Sequence, residues 1–158
     1  MVLAAQILEL ARAKGVMLTC AESCTGGMVA AALTDLPGSS EMLDRGFVTY
    51  TNAAKVEMLG VRTETLEDHG AVSEPVAIEM AQGALKHSQA QIAVSITGIA
   101  GPGGSEHKPE GRVCFAIATL AGTQTQTKDF GALGRDKVRI ASRDHALALI
   151  LAALQKLP

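Results

Sequence analysis

The chain has 158 residues, 47% of them hydrophobic and 19% charged, which argues against a disordered protein and suits one domain with its own core. A net charge of −2, no tryptophan and one tyrosine argue against electrostatic binding of nucleic acid and against a base-stacking platform. We therefore expect no nucleic-acid partner and, since no apolar run is long enough to span a bilayer, no membrane partner.

The amino terminus and the cysteines bear on the cellular compartment. The first six residues lead directly into a helical pattern and lack the charge layout of a signal peptide. Cys20, Cys24 and Cys114 are odd in number and form no C-x-x-C pair, which argues against a disulfide framework and against a cysteine-rich zinc site. The sequence predicts a cytoplasmic protein with reduced thiols.

Helices and strands are predicted to alternate in the first half of the chain. Apolar residues at helical spacing indicate a first helix closed by Gly15, and Asn52 is a good cap for a later one. The expected elements, in order, are a helix over 2–14, a strand over 16–20, a helix from 28 to about 36, a helical turn over 39–43, a strand over 46–51, and helices over 52–59 and 63–69.

The second half adds a long helix, a strand, a glycine-rich loop and a hairpin. Ser73 is a plausible cap for the helix, with Pro75 in its first turn. The expected elements are a helix from 74 to about 87, a strand over 91–97, a loop from 98 to about 111, strands over 112–120 and 123–130, and a helix from 135. This order predicts an α/β fold, a three-layer α/β/α sandwich with a mixed sheet of about five strands, in one domain over 1–158.

The stretch Ala-Glu-Ser-Cys-Thr-Gly-Gly, residues 21–27, follows a predicted buried strand and precedes a helix. This order places the hydroxyl of Ser23 at the carboxyl edge of a strand, beside the N–H groups of a helix start. Such a geometry suits a nucleophile next to an oxyanion site. The alternative is a tight turn in which Gly26 and Gly27 only permit close packing.

Polar clusters follow three of the predicted strands. They are Ser23-Cys24-Thr25, then Tyr50-Thr51-Asn52 with Lys55, and then Thr97-Gly98 with the glycines that follow. In open α/β sheets, ligands bind at the carboxyl ends of the strands. If these strands are parallel neighbours, the three clusters form one crevice.

Ser23 needs a base to act as a nucleophile, and no histidine lies in the three clusters. The remaining candidate is Lys55, which can serve only if burial lowers its pKa; the alternative is a lysine that faces solvent. Tyr50 could relay the proton or orient Lys55. Cys24 is an alternative nucleophile, although adjacent residues in a turn usually point apart.

Two features suit an anionic group of a ligand. The loop over 98–104 lacks the ending of a P-loop but could form a nest of backbone N–H groups. Arg135 and Arg139, at the start of the last helix, could reach a phosphate; the alternative is surface pairing with Asp136 or Asp144. No cluster of histidine, cysteine or carboxylate residues has metal-ligand spacing, so we expect no metal.

Seven motifs occur in one order along nearly the whole chain. They are Ala21-Glu22-Ser23-Cys24-Thr25-Gly26-Gly27, Pro37-Gly38-Ser39-Ser40, Tyr50-Thr51-Asn52-x-x-Lys55, Gly70-Ala71-Val72-Ser73-Glu74, Thr97-Gly98-Ile99-Ala100-Gly101-Pro102-Gly103-Gly104, Lys108-Pro109-x-Gly111 and Gly134-Arg135. Together they resemble the CinA C-terminal family. The molybdopterin-binding-like domain to which some members are fused is absent from this sequence, so the resemblance is to the stand-alone form.

The resemblance implies hydrolysis of the carboxamide of nicotinamide mononucleotide to nicotinate mononucleotide and ammonia, without a cofactor. It implies Ser23 as nucleophile and Lys55 as base, and Tyr50 matches the tyrosine of the same motif. Backbone N–H groups at the Gly26 helix start or in the Gly98 loop would then hold the oxyanion. The residues expected to bind substrate are Thr25, Gly26, Gly27, Asn52, Thr97, Gly98, Gly101, Gly103, Arg135 and Arg139.

Two rival interpretations stay open at this point. One is a nucleotide-binding module without catalysis that serves competence or the response to DNA damage. The other is a thiol hydrolase that uses Cys24. The small domain and its many apolar helices also lead us to expect a homo-oligomer.

Overall fold

The computed structural model describes residues 2–158, and these form six α-helices and five strands. The helices are α1 (Val2–Lys14), α2 (Met28–Thr34), α3 (Asn52–Leu59), α4 (Thr63–His69), α5 (Glu74–Lys86) and α6 (Arg135–Lys156). The strands are β1 (Leu18–Glu22), β2 (Leu43–Val48), β3 (Ile92–Gly98), β4 (Arg112–Thr119) and β5 (Gly122–Asp129). A short 3₁₀ turn, Ser39–Glu41, precedes β2.

The strands form one mixed sheet in the order β2-β1-β3-β4-β5. The strand β1 pairs in parallel with both neighbours, so that Cys20 lies beside Gly46 of β2 and Val94 of β3. The strands β3, β4 and β5 pair antiparallel. The predicted mixed five-stranded sheet is confirmed, and the carboxyl ends of β2, β1 and β3 meet at one edge.

Successive strand residues point to opposite sides of the sheet, so each face carries its own apolar side chains. Helices therefore cover both faces. On one face, α1, α2 and α6 pack on large side chains that include Leu18, Ile92 and Phe115. On the other face, α5 packs on small strand residues such as Ala21 and Ala93. These small residues let α5 approach the sheet closely. The predicted three-layer α/β/α arrangement is confirmed.

Strand ends were predicted less well than helix ends. The strand β1 begins and ends two residues later than the predicted run of 16–20, and β2 begins and ends three residues earlier than the predicted run of 46–51. Parallel pairing between the two strands begins at Leu18 and Leu43, which decides their extent more strongly than β propensity does. The cap of α3 is Thr51, whose hydroxyl accepts the N–H of Ala54, and not the predicted Asn52, which is the first helical residue.

The longest helix, α6, begins near the carboxyl edge of the sheet. It has 22 residues and packs on α1 and β3. Its first turns carry Arg135 and Arg139, whose guanidinium groups contact loops at that edge. No helix between residues 2 and 158 has both the length and the apolar character that a membrane span requires.

Candidate active site

Ser23 lies one residue beyond the end of β1 and is held there by the sheet. Its N–H donates to the carbonyl oxygen of Ile96 on β3 at 2.9 Å, which extends the parallel ladder past the strand end. Its hydroxyl lies 3.4 Å from the carbonyl oxygen of Tyr50. The residue is only 8% exposed. The serine is therefore fixed at the carboxyl edge by a backbone hydrogen bond to β3 and by a contact of its hydroxyl with the segment that follows β2.

Glu22 fixes the turn that follows, a role that the sequence analysis missed. Its buried carboxylate accepts the Thr25 hydroxyl at 2.7 Å and the N–H groups of Gly27, Val29 and Ala30 at 3.2, 3.0 and 3.0 Å. The residue before α2 is Gly27, which has no side chain to cap the helix, so Glu22 satisfies the helix start from the preceding strand. The N–H groups that we expected to be free for an oxyanion are therefore occupied.

Arg139 supports the same turn from α6. Its Nε donates to the carbonyl oxygen of Cys24 at 3.0 Å, and its second guanidinium nitrogen donates to that of Thr25 at 3.3 Å. A side chain at Gly26 would lie in contact with this guanidinium group. Arg139 was expected near a phosphate, but the structure directs it to these carbonyl groups.

Lys55 folds back from α3 toward the residues that precede the helix. Side chains of a helix lean toward its amino terminus, so a lysine one turn inside α3 can reach back past the cap Thr51. Its Nζ lies 3.1 Å from the carbonyl oxygens of both Thr49 and Tyr50, and 3.0 Å from the hydroxyl oxygen of Ser23. The spacing of the Tyr50-Thr51-Asn52-x-x-Lys55 motif is the spacing that this fold-back requires.

Burial makes the amine of Lys55 easier to deprotonate. The side chain is 1% exposed, and burial lowers its pKa below the ordinary value. A neutral amine has two N–H groups and one lone pair. If the carbonyl oxygens of Thr49 and Tyr50 accept the two N–H groups, the lone pair is left to accept the proton of the Ser23 hydroxyl. An ammonium group can donate to all three oxygens, so the same contacts suit Lys55 before and after it takes up a proton.

Tyr50 acts on this arrangement through its backbone. Its carbonyl oxygen contacts Lys55, whereas its side chain is 54% exposed and its hydroxyl accepts a hydrogen bond from Arg135 at 2.6 Å. The same guanidinium group donates to the carbonyl oxygen of Gly101 at 2.7 Å. The Tyr50 hydroxyl points to α6 and is not placed to relay a proton to Lys55, so any orienting effect on Lys55 comes through the Tyr50 carbonyl group.

A cavity of about 310 Å³ opens in front of Ser23 and Lys55, at the lower end of the range for small-molecule sites. All three predicted polar clusters contribute to it. Its lining comprises Ser23, Cys24, Tyr50, Asn52, Lys55, Ala71, Val72, residues 97–106 and Arg135. Six of the ten predicted substrate-binding residues therefore line it. Thr25, Gly26 and Gly27 lie outside, in the turn that Glu22 and Arg139 hold, and Arg139 lies outside because its guanidinium group binds that turn.

Comparison with known proteins places the chain in a family. The profile of the CinA C-terminal domain matches residues 1–154. The chain belongs to the CinA C-terminal domain family. Nicotinamide-nucleotide amidohydrolase PncC of Escherichia coli (strain K12) is 54% identical over 148 residues, which cover 93% of this chain and 90% of that protein.

Other members of the CinA family extend the likeness. A putative competence-damage inducible protein of Symbiobacterium thermophilum is 52% identical over 147 residues, covering 87% of this chain and 34% of that longer protein. The crystal structure of competence/damage inducible protein CihA from Agrobacterium tumefaciens matches with a TM-score of 0.93 at 49% identity, covering 98% of this chain and 94% of that one. The α/β fold is therefore that of the CinA superfamily.

Cys24 is poorly suited to replace Ser23 as the nucleophile in this CinA domain. Burial raises the pKa of its thiol to about 12, partly opposed by the charge of Arg139. Since the thiolate is the reactive species, a thiol with this pKa is almost entirely unreactive near neutral pH. The rival thiol hydrolase therefore lacks the activated group that it needs.

None of the four histidines lines the cavity. His69, His87 and His107 are exposed, and His145 packs edge-on against the ring of Phe115 at 4.7 Å. Within residues 2–158, no group of three or more histidine, cysteine, aspartate or glutamate residues is arranged to hold a metal ion. Lys55 is the side chain that contacts the Ser23 hydroxyl.

Proposed function

We propose that this CinA domain is a nicotinamide-nucleotide amidohydrolase that converts nicotinamide mononucleotide to nicotinate mononucleotide and ammonia. The observation that carries the proposal is the 3.0 Å contact between a buried lysine amine and the Ser23 hydroxyl at the floor of a nucleotide-sized cavity. The name of the Escherichia coli relative, 54% identical over nearly its whole length, supplies the substrate class.

The first half of the reaction acylates the serine. Lys55 accepts the hydroxyl proton while Ser23 Oγ forms a bond to the carboxamide carbon, and the carbonyl π electrons move to the oxygen. The protonated Lys55 then donates that proton to the amide nitrogen. The C–N bond breaks, ammonia leaves, and an ester joins the nicotinoyl group to Ser23.

The second half returns the serine to its starting state. Lys55, again neutral, accepts a proton from a water molecule that attacks the ester carbon. The ester bond breaks, and the proton goes to Ser23 Oγ as nicotinate mononucleotide leaves. Since Glu22 occupies the start of α2, the oxyanion is held by other N–H groups of the lining. The N–H of Cys24 is a candidate for this role, since Cys24 follows Ser23 and lines the cavity.

Arg135 is the residue that we assign to the substrate phosphate. Its guanidinium group lines the cavity, and its contacts with Gly101 and Tyr50 fix its position. A guanidinium group can donate two parallel hydrogen bonds to a phosphate. Asn52 and the loop over 98–104 supply further polar groups along the same wall.

Measurement of ammonia release tests the proposal against both rivals. The substrate is nicotinamide mononucleotide, and the proteins are wild type, Ser23→Ala, Lys55→Ala and Cys24→Ala. We expect activity to survive only in wild type and Cys24→Ala. Nucleotide binding without ammonia release by the wild type would support a binding module, and loss of activity with Cys24→Ala alone would support a thiol enzyme.

The setting of the enzyme is also part of the proposal. We propose that residues 1–158 act as one domain, in the cytoplasm, as a homo-oligomer. The three free cysteines suit a reducing compartment. Apolar side chains at the surface, such as Leu120 at 94% exposure, suit contact between copies. Light scattering after gel filtration tests the oligomer, and a single monomer mass would contradict it.

A further inference from the structure

Glu106 is the acidic residue in the cavity lining, and within residues 2–158 its carboxylate forms no ion pair. The lining contains one carboxylate, Glu106, together with the basic side chains of Arg135 and Lys55. Within residues 2–158, Glu106 takes part in none of the ion pairs, which join other residues. An unpaired carboxylate in a ligand cavity is a binding group for a positive charge.

The loop that carries Glu106 is held in place. Ser105 and Lys108 pair across it through two backbone hydrogen bonds, and Lys108 Nζ donates to the carbonyl oxygens of His69 and Val72 at 2.6 Å. A side chain at Gly70 would collide with the Glu106 carboxylate and lie 3.1 Å from Lys108 Nζ. The absence of a side chain at residue 70 therefore makes room for both groups. These contacts fix the position of the Glu106 loop beside the cavity.

We propose that Glu106 selects substrates whose reacting ring is positively charged, namely pyridinium nucleotides. This inference rests on the proposed function, since it concerns the same cavity. The carboxamide must lie at Ser23, so the attached ring lies in the cavity that Glu106 lines. The lining presents one acidic side chain, Glu106, and the guanidinium group of Arg135. In nicotinamide mononucleotide, the pyridinium ring has the charge opposite to that of Glu106, and the phosphate has the charge opposite to that of Arg135.

The charge of Glu106 also reaches the catalytic amine, which is consistent with its position. It opposes the effect of burial and raises the pKa of Lys55 to a smaller extent. An effect transmitted only through Lys55 would change the turnover of every substrate by the same factor. Selection of the ring charge changes the affinity for charged and uncharged rings by different factors, so the two effects can be separated.

Binding to an inactive enzyme tests the inference without turnover. Calorimetry on Ser23→Ala and Ser23→Ala/Glu106→Gln compares nicotinamide mononucleotide with its dihydro form, which keeps the carboxamide and phosphate but has an uncharged ring. We expect Glu106→Gln to weaken binding of the charged nucleotide by about twofold to fivefold, as for an exposed charge pair. Binding of the dihydro form should stay unchanged.

Two further variants serve as controls. Glu106→Asp keeps the charge and should retain most of the preference. Glu67→Gln removes one negative charge from α4, outside the cavity lining, and should leave both affinities unchanged. Equal weakening of both ligands by Glu106→Gln, or no change in either, would overturn the inference. Failure of wild type to release ammonia would instead overturn the proposed function, so the two failures are distinguishable.

Discussion

The parallel and antiparallel halves of the sheet have different tasks. In the parallel half, β2, β1 and β3 run in the same direction, and the three polar clusters follow their carboxyl ends. In the antiparallel half, β4 begins at that edge and ends at the opposite one, where the hairpin turn exposes Leu120. No residue of β4 or β5 lines the cavity. Reactive side chains collect where several strands end together.

The antiparallel half affects the site through its connection to α6. The strand β5 returns the chain to the carboxyl edge, and α6 begins there after five residues, with Arg135 in its first turn. The face of the hairpin next to α6 carries a separate groove of about 340 Å³ lined by apolar residues that include Phe115, Ile117 and Leu149. One half therefore supplies the polar clusters of the cavity, and the other sets where α6 starts.

The largest expected effect lies in the parallel half, at Lys55. Lys55→Met should lower kcat/KM for nicotinamide mononucleotide by about a thousandfold or more, because a methionine of similar length cannot accept the serine proton. Ser23→Ala/Lys55→Met should be no less active than either single variant, since the two residues act in one step. Additive losses in steady-state ammonia release would contradict a shared role.

The same variant has an expected effect on stability with a definite sign. The folded state lowers the pKa of Lys55, so the unfolded chain binds more protons between the two pKa values, and wild-type stability rises with pH across that window. Lys55→Met lacks this slope, so its stability should depend less on pH across that window than the stability of wild type does. Urea denaturation at several pH values measures it. Activity should fall with decreasing pH through the lowered pKa, as the amine becomes protonated.

The next effect concerns the turn rather than the chemistry. Glu22→Ala leaves the Thr25 hydroxyl and the N–H groups of Gly27, Val29 and Ala30 without their acceptor. We expect a loss of roughly 3 kcal/mol in the free energy of unfolding, measured in urea. Glu22→Gln keeps one acceptor oxygen and should lose less. Equal stability of Glu22→Ala and wild type would show that the helix start finds other partners.

A smaller effect separates the two arginines of α6. Arg135→Ala should lower kcat/KM for the mononucleotide by about tenfold to a hundredfold, the range for a lost charge-assisted hydrogen bond, and should spare nicotinamide riboside, which lacks the phosphate. Arg139→Ala is the matched control, because Arg139 binds the carbonyl oxygens of Cys24 and Thr25. It should reduce stability without changing the preference for phosphate. A loss of phosphate preference in Arg139→Ala alone would reverse the assignment.

The smallest effect is expected in the hairpin. Gln124→Ala, on the exposed strand β5, should change kcat/KM by less than about twofold and stability by less than about 0.5 kcal/mol, as for most surface substitutions. A large loss of activity from this substitution would show that the antiparallel half takes part in catalysis. The comparison between the two halves would then need revision.

Local sequence signals predicted the helices well because their end groups act over a few residues. Ser73 caps α5 by accepting the N–H of Val76, and Gly15 and Gly60 follow α1 and α3 in the left-handed region. The ends of the strands could not be predicted without knowing which strands pair and where the pairing begins. Thr49 and Tyr50 were assigned to a strand, but they lie beyond β2, where their carbonyl oxygens contact Lys55.

Within the site, the sequence analysis proposed the pairing of Ser23 with Lys55 and missed Glu22. A signal for Glu22 was present, since α2 starts after two glycines and has no capping side chain of its own. A carboxylate on the preceding strand is then a candidate cap. The roles of Arg135 and Arg139 could not be separated from spacing alone, because they lie four residues apart on the same helix and their contacts come from different loops.

The order of residues by itself determined the succession of helices and strands, the three-layer class and the three polar clusters after strands. These follow from periodicity and from short-range hydrogen bonds, which depend on near neighbours in the chain. Only the tertiary structure decided that the clusters meet, that Lys55 loses its contact with water and that Glu22 closes off the start of α2. Burial and hydrogen bonding between distant segments are set by packing, which no local pattern records.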